Sequence, residues 1–526
     1  MNDPSALLTT QIELQNAIQT LSQYGLKLST KWAAEQLYLG EYTRLSNLLS
    51  DPKDPEKPAE DLPPLGLWLW AYGKYLGGEK RKEEEIGESQ GSLTHQVTNH
   101  TLPSIISALS HLSTSPSPPA FPTYALALCL NAQLKACAPT SVRHEKLLEQ
   151  TRDALVKSIL AFKWNWSAWR DLACICVDNA CIHSSVESSL SPLSSHYMYM
   201  FFLSHVFLEQ QQNDQALQVL ESLSQQFPNS ADLKAQTALA HYNLRDFDRA
   251  QEEYVELVEK DPYRLEGMDV FSNILYVKEA KAELSALAQS ASNVDKYRPE
   301  VCCIIGNYYS LKSHHTLAVS YFQRALKLNR NFLSAWTLMG HEYVEMRKTD
   351  KAISAYRRAV DINDRDYRAW YGLGQVYEIL NMLLYALYYY RKAAALRPYD
   401  ARMWCALGSC FVSLDRRQEA IKSYERAVIT NDRENLATKK LAKLYREEGD
   451  VKKAADCYLR LIDNLGSSVD AGSAEALLFL AQYFKNIHNY ENAALMCSRL
   501  LEYPGPEKEE AQALLRDIRS RRQAKS

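Results

Sequence analysis

The chain has 526 residues, a hydrophobic fraction of 46% and a formal net charge of −3. That length is too great for one compact core, so several domains or a repeat array are expected. A near-neutral charge speaks against nucleic acid as the main ligand, and no apolar run reaches the roughly 18 residues of a membrane helix.

In chain order, the opening MNDPSALLTTQIELQNAIQTL reads as an amphipathic helix, because no basic segment precedes an unbroken apolar stretch. Without export, the 11 cysteines are expected as reduced thiols. The run from Lys31 and the run LWLWAYGKYL from Leu67 read as helices of degenerate repeats. DPKDPEKPAEDLPP between them reads as a loop rich in Pro and charge. GGEKRKEEEIGESQGS, after Leu76, lacks helical apolar periodicity and is expected to be mobile. STSPSPPAFP, from Ser113, is a second connector. Trp169, Leu172 and Ala173 resemble the first helix of another repeat. Cys174, Cys176, Cys181 and His183 lack the paired C-x2-C spacing of zinc sites. They are expected as packing residues, as are Cys405, Cys410, Cys457 and Cys497.

Further along, a fixed period dominates. AWTLMGHEY at Trp336 recurs as AWYGLGQVY at Trp370 and MWCALGSCF at Trp404, a spacing of 34 residues. This is the period and the W-x2-L-G-x2-Y opening of tetratricopeptide repeats. With each Trp at position 4, the frame runs from Met200 to Thr438. A five-residue insertion around 466–470 then precedes a last frame at Leu477. Position 8 is small in all nine frames: Ser204, Ala238, Ser272, Gly306, Gly340, Gly374, Gly408, Ala442 and Ala481. Position 20 is Ala in eight of them and Leu284 in the other. Position 24 carries Tyr254, Phe322, Tyr356, Tyr390, Tyr424 and Tyr458.

Small residues at positions 8 and 20 let two antiparallel helices approach closely, and the ring at 24 fills space towards the next repeat. The fold class is therefore all-α, a superhelical solenoid of helix-turn-helix repeats. Trp336, Trp370 and Trp404 are expected as core knobs. In the Tyr388, Tyr389, Tyr390 run, Tyr390 is the core ring and Tyr389 is expected at the surface. PEKEEAQALLRDIRSRR, with acids first and bases last, suits a capping helix. The expected organisation is degenerate helices over 1–78, a charged and Pro-rich flexible insertion over 79–120 and further degenerate helices over 121–196. A regular array with a groove follows over 197–465, then the last repeat and cap over 466–526.

Specific segments go beyond the repeat consensus. GNYYSLKSHHTLAVSYFQRALKLN, AWTLMGHEYVEM, DYRAWYGLGQVYEIL, LYALYYYRKAAALRPYDARMW, KDPYRLEGMDVFSNILYV and DKYRPEVCCIIGNYY resemble the subunit 8 (cell-division-cycle 23) family of the anaphase-promoting complex. GLKLSTKWAAEQL and YGKYLGGEKRKEEE resemble it near the start. The likeness spans most of the chain and is most specific from about Asp261 to about Trp404. It implies a non-catalytic scaffold of a multi-subunit ubiquitin ligase acting on mitotic substrates, found in nucleus and cytoplasm. It also implies a homodimer through the N-terminal repeats, contacts with other repeat subunits and small subunits, and a C-terminal groove for the Arg-containing C box of coactivators. No cofactor, metal, membrane or nucleic acid is implied.

An Arg-bearing peptide calls for carboxylates and amide oxygens in a partly desolvated cleft. Helix A of each repeat lines the groove, so Asn307 and Glu342 are the first candidates, and Glu342→Lys is expected to weaken peptide capture with the fold intact. Tyr308, Tyr371, Gln375, Glu345 and Glu378 are their neighbours. A co-chaperone or other peptide-binding adaptor is the alternative, but position 5 (Cys303, Thr337, Tyr371, Cys405) lacks the basic clamp for a C-terminal carboxylate. A repeat-bearing enzyme such as a glycosyltransferase is disfavoured, because the repeats run almost to the end and no phosphate loop or nucleophile elbow is found.

Overall fold

The computed structural model describes residues 42–51, 54–58, 62–88, 98–115, 117–137, 141–178, 186–430, 432, 435–465, 471–501 and 507–523. Two compact units, 1–257 and 258–526, are taken in turn.

In the first unit α1 (Tyr42–Leu49) leads into a short antiparallel pair, β1 (Ser50–Asp51) with β2 (Asp54–Pro58). The stretch expected as a loop thus carries strand pairing. Then come α2 (Pro64–Glu88), α3 (Leu102–Thr114), α4 (Ala120–Ala136), α5 (Val142–Ala161) and α6 (Trp166–Asp178). The charged run expected to be mobile is instead helical as far as Glu88, and α3 lies inside the expected insertion. The reason is local. Lys, Arg and Glu are strong helix formers, and Glu79–Lys82 pair one turn apart. Gly78 also lets the Asn99 side chain sit so close that a Cβ would come within 2.0 Å of its Oδ1. Residues 89–92 of that run, and Cys181 and His183, lie outside the described residues.

Trp70 and Trp169 are fully buried in this unit's core. The Trp169 indole N–H donates to the Lys163 carbonyl, 2.8 Å away, six residues upstream. Trp336, Trp370 and Trp404 do the same in the second unit, to the carbonyls of Arg330, Asp364 and Pro398. Each ties helix A to the end of the preceding chain segment, so these indoles are structural. The unit ends with α7 (Tyr197–Glu209), α8 (Asn213–Gln226), α9 (Ala231–Asn243) and α10 (Phe247–Lys260).

The second unit repeats one hairpin: α11 (Met268–Val277) with α12 (Lys281–Asp295), α13 (Pro299–Leu311) with α14 (His315–Leu328), and α15 (Leu333–Glu345) with α16 (Thr349–Ile362). It continues as α17 (Tyr367–Ile379) with α18 (Leu383–Leu396), α19 (Ala401–Ser413) with α20 (Arg417–Ile429), α21 (Leu436–Glu448) with α22 (Val451–Leu465), and α23 (Ala471–Asn486) with α24 (Tyr490–Leu501). The terminal α25 (Glu507–Gln523) buries Ala511 and Ile518 against this last pair, and Lys485 pairs with Asp517 at 2.5 Å.

Every hairpin turns at the same position. Gln211, Arg245, Glu279, Ser313, Arg347, Asn381, Asp415, Gly449 and His488 all have positive φ. They fall on position 15 of the nine frames, with the inserted residues counted before the last. The next amide bonds back to the carbonyl five residues earlier, as from Lys348 to Tyr343 at 2.8 Å. This left-handed residue ends helix A and starts the turn.

The glycines explain the tight pairing. A Cβ on Gly306, Gly340, Gly374 or Gly408 would come within 2.4–2.6 Å of the ring at position 24 of the same repeat: Phe322, Tyr356, Tyr390 and Tyr424 respectively. A Cβ on Gly372, in the following repeat, would likewise come within 2.5 Å of the Tyr356 ring. The ring is therefore clamped between its own helix A and the next one. Tyr390 is core as expected, but Tyr389 is half-buried and stacks on Tyr377 at 5.2 Å and 3°. Of the cysteines expected to pack, Cys176, Cys410 and Cys497 are buried, Cys405 and Cys457 half-buried, and Cys174 exposed.

Candidate functional site

Positions 9, 12 and 13 of helix A share one face, since residues three and four apart lie above one another on a helix. How this stripe is used changes along the second unit. Between α11 and α13 it is closed. The Asn307 amide donates to Ser272 Oγ and Asn273 Oδ1, both at 2.8 Å, and Asn307 is 2% exposed. One turn on, Ser310 donates to Glu342 Oε1 at 2.6 Å, and His315 Nδ1 lies 2.8 Å from Glu342 Oε2. Glu342 is 5% exposed. The two first candidates are thus buried, and each is engaged by partners within the fold. Glu342, at position 10, faces the preceding repeat.

Between α15 and α17 the stripe is open. His341, Val344, Glu345, Gln375, Glu378 and Ile379 line a pocket of about 240 Å³. These are positions 9, 12 and 13 of two adjacent frames, and three of the expected residues, Glu345, Gln375 and Glu378, meet there. The core rings hold this lining in place. The Tyr390 hydroxyl donates to Glu378 Oε2 at 2.6 Å, and the Tyr356 hydroxyl is 2.7 Å from His341 Nδ1. Burial, with the Arg368 guanidinium nearby, pushes His341 down to about 4, so it is neutral at neutral pH. The two carboxylates therefore set the pocket's charge, which suits a cation and best a planar guanidinium able to bond both.

Tyr308 and Tyr371 stand apart from this pocket. Tyr308 accepts a hydrogen bond from Lys312, whose ammonium also lies 4.3 Å from its ring centre, and that bond lowers its hydroxyl pKa. Tyr371 is half-buried with its ring 5.4 Å from Tyr390, and burial raises its pKa. His341 stands at position 9, a groove position the sequence also indicates, whereas Val344 and Ile379 were not among the expected site residues, although the i, i+3, i+4 rule applied to the inner stripe points to them. Among the described residues, no group of His, Cys, Asp and Glu could hold a metal, and no helix is long and apolar enough to cross a membrane.

Paired helices with a 34-residue frame and a polar inner stripe define a tetratricopeptide-repeat solenoid. Tetratricopeptide family models match residues 299–332, 337–401, 401–428 and 440–468. The model described as anaphase promoting complex subunit 8 / Cdc23 matches residues 39–238. Anaphase-promoting complex subunit 8 of Arabidopsis thaliana is 50% identical over 91% of this chain and 79% of that one. Its counterpart in Dictyostelium discoideum is 54% identical over 72% of this chain and 64% of that one. The Homo sapiens cell division cycle protein 23 homolog is 38% identical over 51% and 47%. The chain belongs to the anaphase-promoting complex subunit 8 / Cdc23 family. In fold it is similar to the Cut9 and Hcn1 hetero-tetramer of that complex, with a TM-score of 0.55 and 16% identity over 92% of this chain and 88% of that one.

Proposed function

We propose that the chain is a non-catalytic scaffold subunit of the anaphase-promoting complex ubiquitin ligase. In this reading it serves cell-cycle-regulated ubiquitination of mitotic substrates in nucleus and cytoplasm. Two copies pair through the N-terminal repeats, other repeat subunits and small subunits dock on the chain, and its array captures the arginine of a coactivator C box. Catalysis falls to partner subunits. A repeat solenoid offers extended surface for assembly, and the solved relative is itself a hetero-tetramer of two different proteins.

The observation that carries the peptide-binding part is the pocket with Glu345 and Glu378 on adjacent helices, Gln375 beside them and a neutral His341. A guanidinium placed there meets two carboxylates with no cation among the lining residues. Tyr371 and Tyr308 offer further surface along the array, away from the pocket, and Asn307 and Glu342 fix the closed part of the stripe. The test is binding of a fluorescent C-box peptide to the full chain. Changing Glu345 and Glu378 to Gln should weaken it about tenfold, as loss of charge-assisted bonds implies. An Arg→Ala peptide should lose as much, and should bind the double variant no worse than it binds the parent. Equal binding of the Arg peptide to parent and variant would overturn the assignment.

A further inference from the structure

The repeats also differ from one another on the outer side of helix B. Positions 18, 19 and 22 lie on one exposed face of that helix. Read along the frames they are Asp214, Gln215 and Gln218; Asp248, Arg249 and Glu252; and Ala282, Glu283 and Ala286. They continue as Thr316, Leu317 and Ser320; Asp350, Lys351 and Ser354; Gln418, Glu419 and Lys422; Lys452, Lys453 and Asp456; and Glu491, Asn492 and Leu495. At most one large apolar side chain occurs in any of these eight sets. The frame of α17 and α18 is the exception, with Leu384, Tyr385 and Tyr388 at 70%, 56% and 53% exposure. Because the hairpin forms eight times without such a cluster, the repeat itself does not require one at this face. A cluster of large apolar groups that packing does not require, left in water, marks an interaction surface.

The surroundings indicate what it binds. Beneath the face, Tyr377 stacks between Tyr385 at 5.6 Å and Tyr389 at 5.2 Å, and the Arg357 guanidinium donates to the Tyr377 hydroxyl at 2.9 Å. This ring stack gives a rigid base, so little side-chain freedom is lost on binding. Arg391 and Lys392 follow Tyr388 by three and four residues and share its stripe. α18 contains no acidic residue at all. The charges that α18 itself brings to the rim are all cationic, and the centre is aromatic and aliphatic. We infer that the outer face of α18, centred on Leu384, Tyr385 and Tyr388, docks an acidic segment of another protein that carries aromatic or aliphatic side chains. Its apolar groups would cover the exposed rings, and its carboxylates would meet Arg357, Arg391 and Lys392. The inference builds on the scaffold reading but uses a different helix from the peptide pocket, so either can fail alone.

The test transplants the face of the next repeat, which already folds: Leu384→Gln, Tyr385→Glu and Tyr388→Lys in the full chain. A random-peptide display library is selected on the parent chain and counter-selected on this variant, and the enriched peptides are then titrated against both. The expected result is acidic peptides with Leu, Phe, Trp or Tyr, binding the parent at least about tenfold more tightly and weakening as salt rises. Basic or uncharged winners, or winners that bind both chains equally, overturn the inference. So does retention of the parent alone on phosphatidylserine vesicles, which would assign the face to a membrane, or a loss of self-association confined to the variant, which would assign it to a second copy. If the triple variant melts below the parent, Leu384→Gln alone, at a side chain that stacks on no ring, serves in its place with a smaller loss expected. Binding of the C-box peptide, measured in parallel, should be unchanged.

Discussion

Two stretches of the same inner stripe, one closed and one open, differ in what the core side chain at position 24 offers to the polar groups beside it. Between α11 and α13 position 24 is Ala288 or Phe322, neither of which carries a hydroxyl. There the position 9 side chains Asn273 and Asn307 bond directly to each other. Between α15 and α17 position 24 is Tyr356 or Tyr390, and their hydroxyls reach His341 and Glu378 on their own repeats. With His341 and Glu378 engaged on their own repeats, a pocket remains between α15 and α17. The same repeat therefore builds a structural seam or a binding site, depending on where its polar groups find partners.

The largest test of that contrast is charge reversal on each side. Glu342 is buried and hydrogen-bonded to Ser310 and His315. Glu342→Lys strands an ammonium there and should cost about 3–5 kcal/mol, so its effect is on stability and not, as the sequence suggests, on peptide capture alone. Glu345→Lys, on the exposed end of the open stretch, should leave the unfolding free energy from urea titration within about 0.5 kcal/mol of the parent. Equal losses for both variants would erase the distinction between seam and pocket.

Next in size is a pair of amides at position 9. Asn307→Ala leaves Ser272 and Asn273 without their shared donor in a buried site, and a loss of about 2 kcal/mol is expected. Gln375→Ala, at the same position but in the pocket, should cost only a few tenths of a kcal/mol. Thermal melts of the two variants side by side decide it. A Gln375 variant as unstable as the Asn307 variant would mean that the pocket too is a seam.

A third prediction uses pH. His341 titrates near 6.5 when unfolded but near 4 in the fold, because burial disfavours its charged form. The unfolded chain therefore takes up the proton first, and stability is lost as pH falls from about 6.5 towards about 4. His341→Gln should flatten the fall of melting temperature over that window and leave the neutral-pH value little changed. An identical slope in parent and variant would show that the imidazole is solvated.

Much of this was legible before any coordinates. The period, the small residues at position 8 and the rings at position 24 are fixed by contact, because a glycine and a ring 16 residues apart meet in every regular hairpin. The direction of polar side chains was not legible in the same way. Asn307 and Gln375 occupy the same position, yet one is buried in a seam and the other lines a pocket. What separates them is the set of partners on the neighbouring helices, Ser272 and Asn273 in the case of Asn307, which no single-position reading captures. In the N-terminal unit the helical course of residues 79–88 is not legible from apolar periodicity, because the Glu79–Lys82 pair and the Gly78 contact, and no apolar stripe, accompany it. Tyr389 was misplaced to the surface because its stacking partner, Tyr377, comes from the facing helix.

The smallest effect isolates the hydroxyl itself. Tyr390→Phe keeps the ring against Gly374 and removes only the donor to Glu378. Because Glu378 is half-exposed and can turn to water, the stability loss should be about 1 kcal/mol, the net worth of one hydrogen bond. The freed carboxylate then samples several rotamers, and a bound guanidinium must reorder it. Affinity for the C-box peptide should fall by a few fold, in line with the ordering cost of one side chain. The reciprocal change, Phe322→Tyr, introduces a hydroxyl into the closed stretch and tests whether Asn307 then gives up a present partner. If Tyr390→Phe binds the peptide as well as the parent while losing the expected stability, the hydroxyl holds the fold and has no part in shaping the pocket.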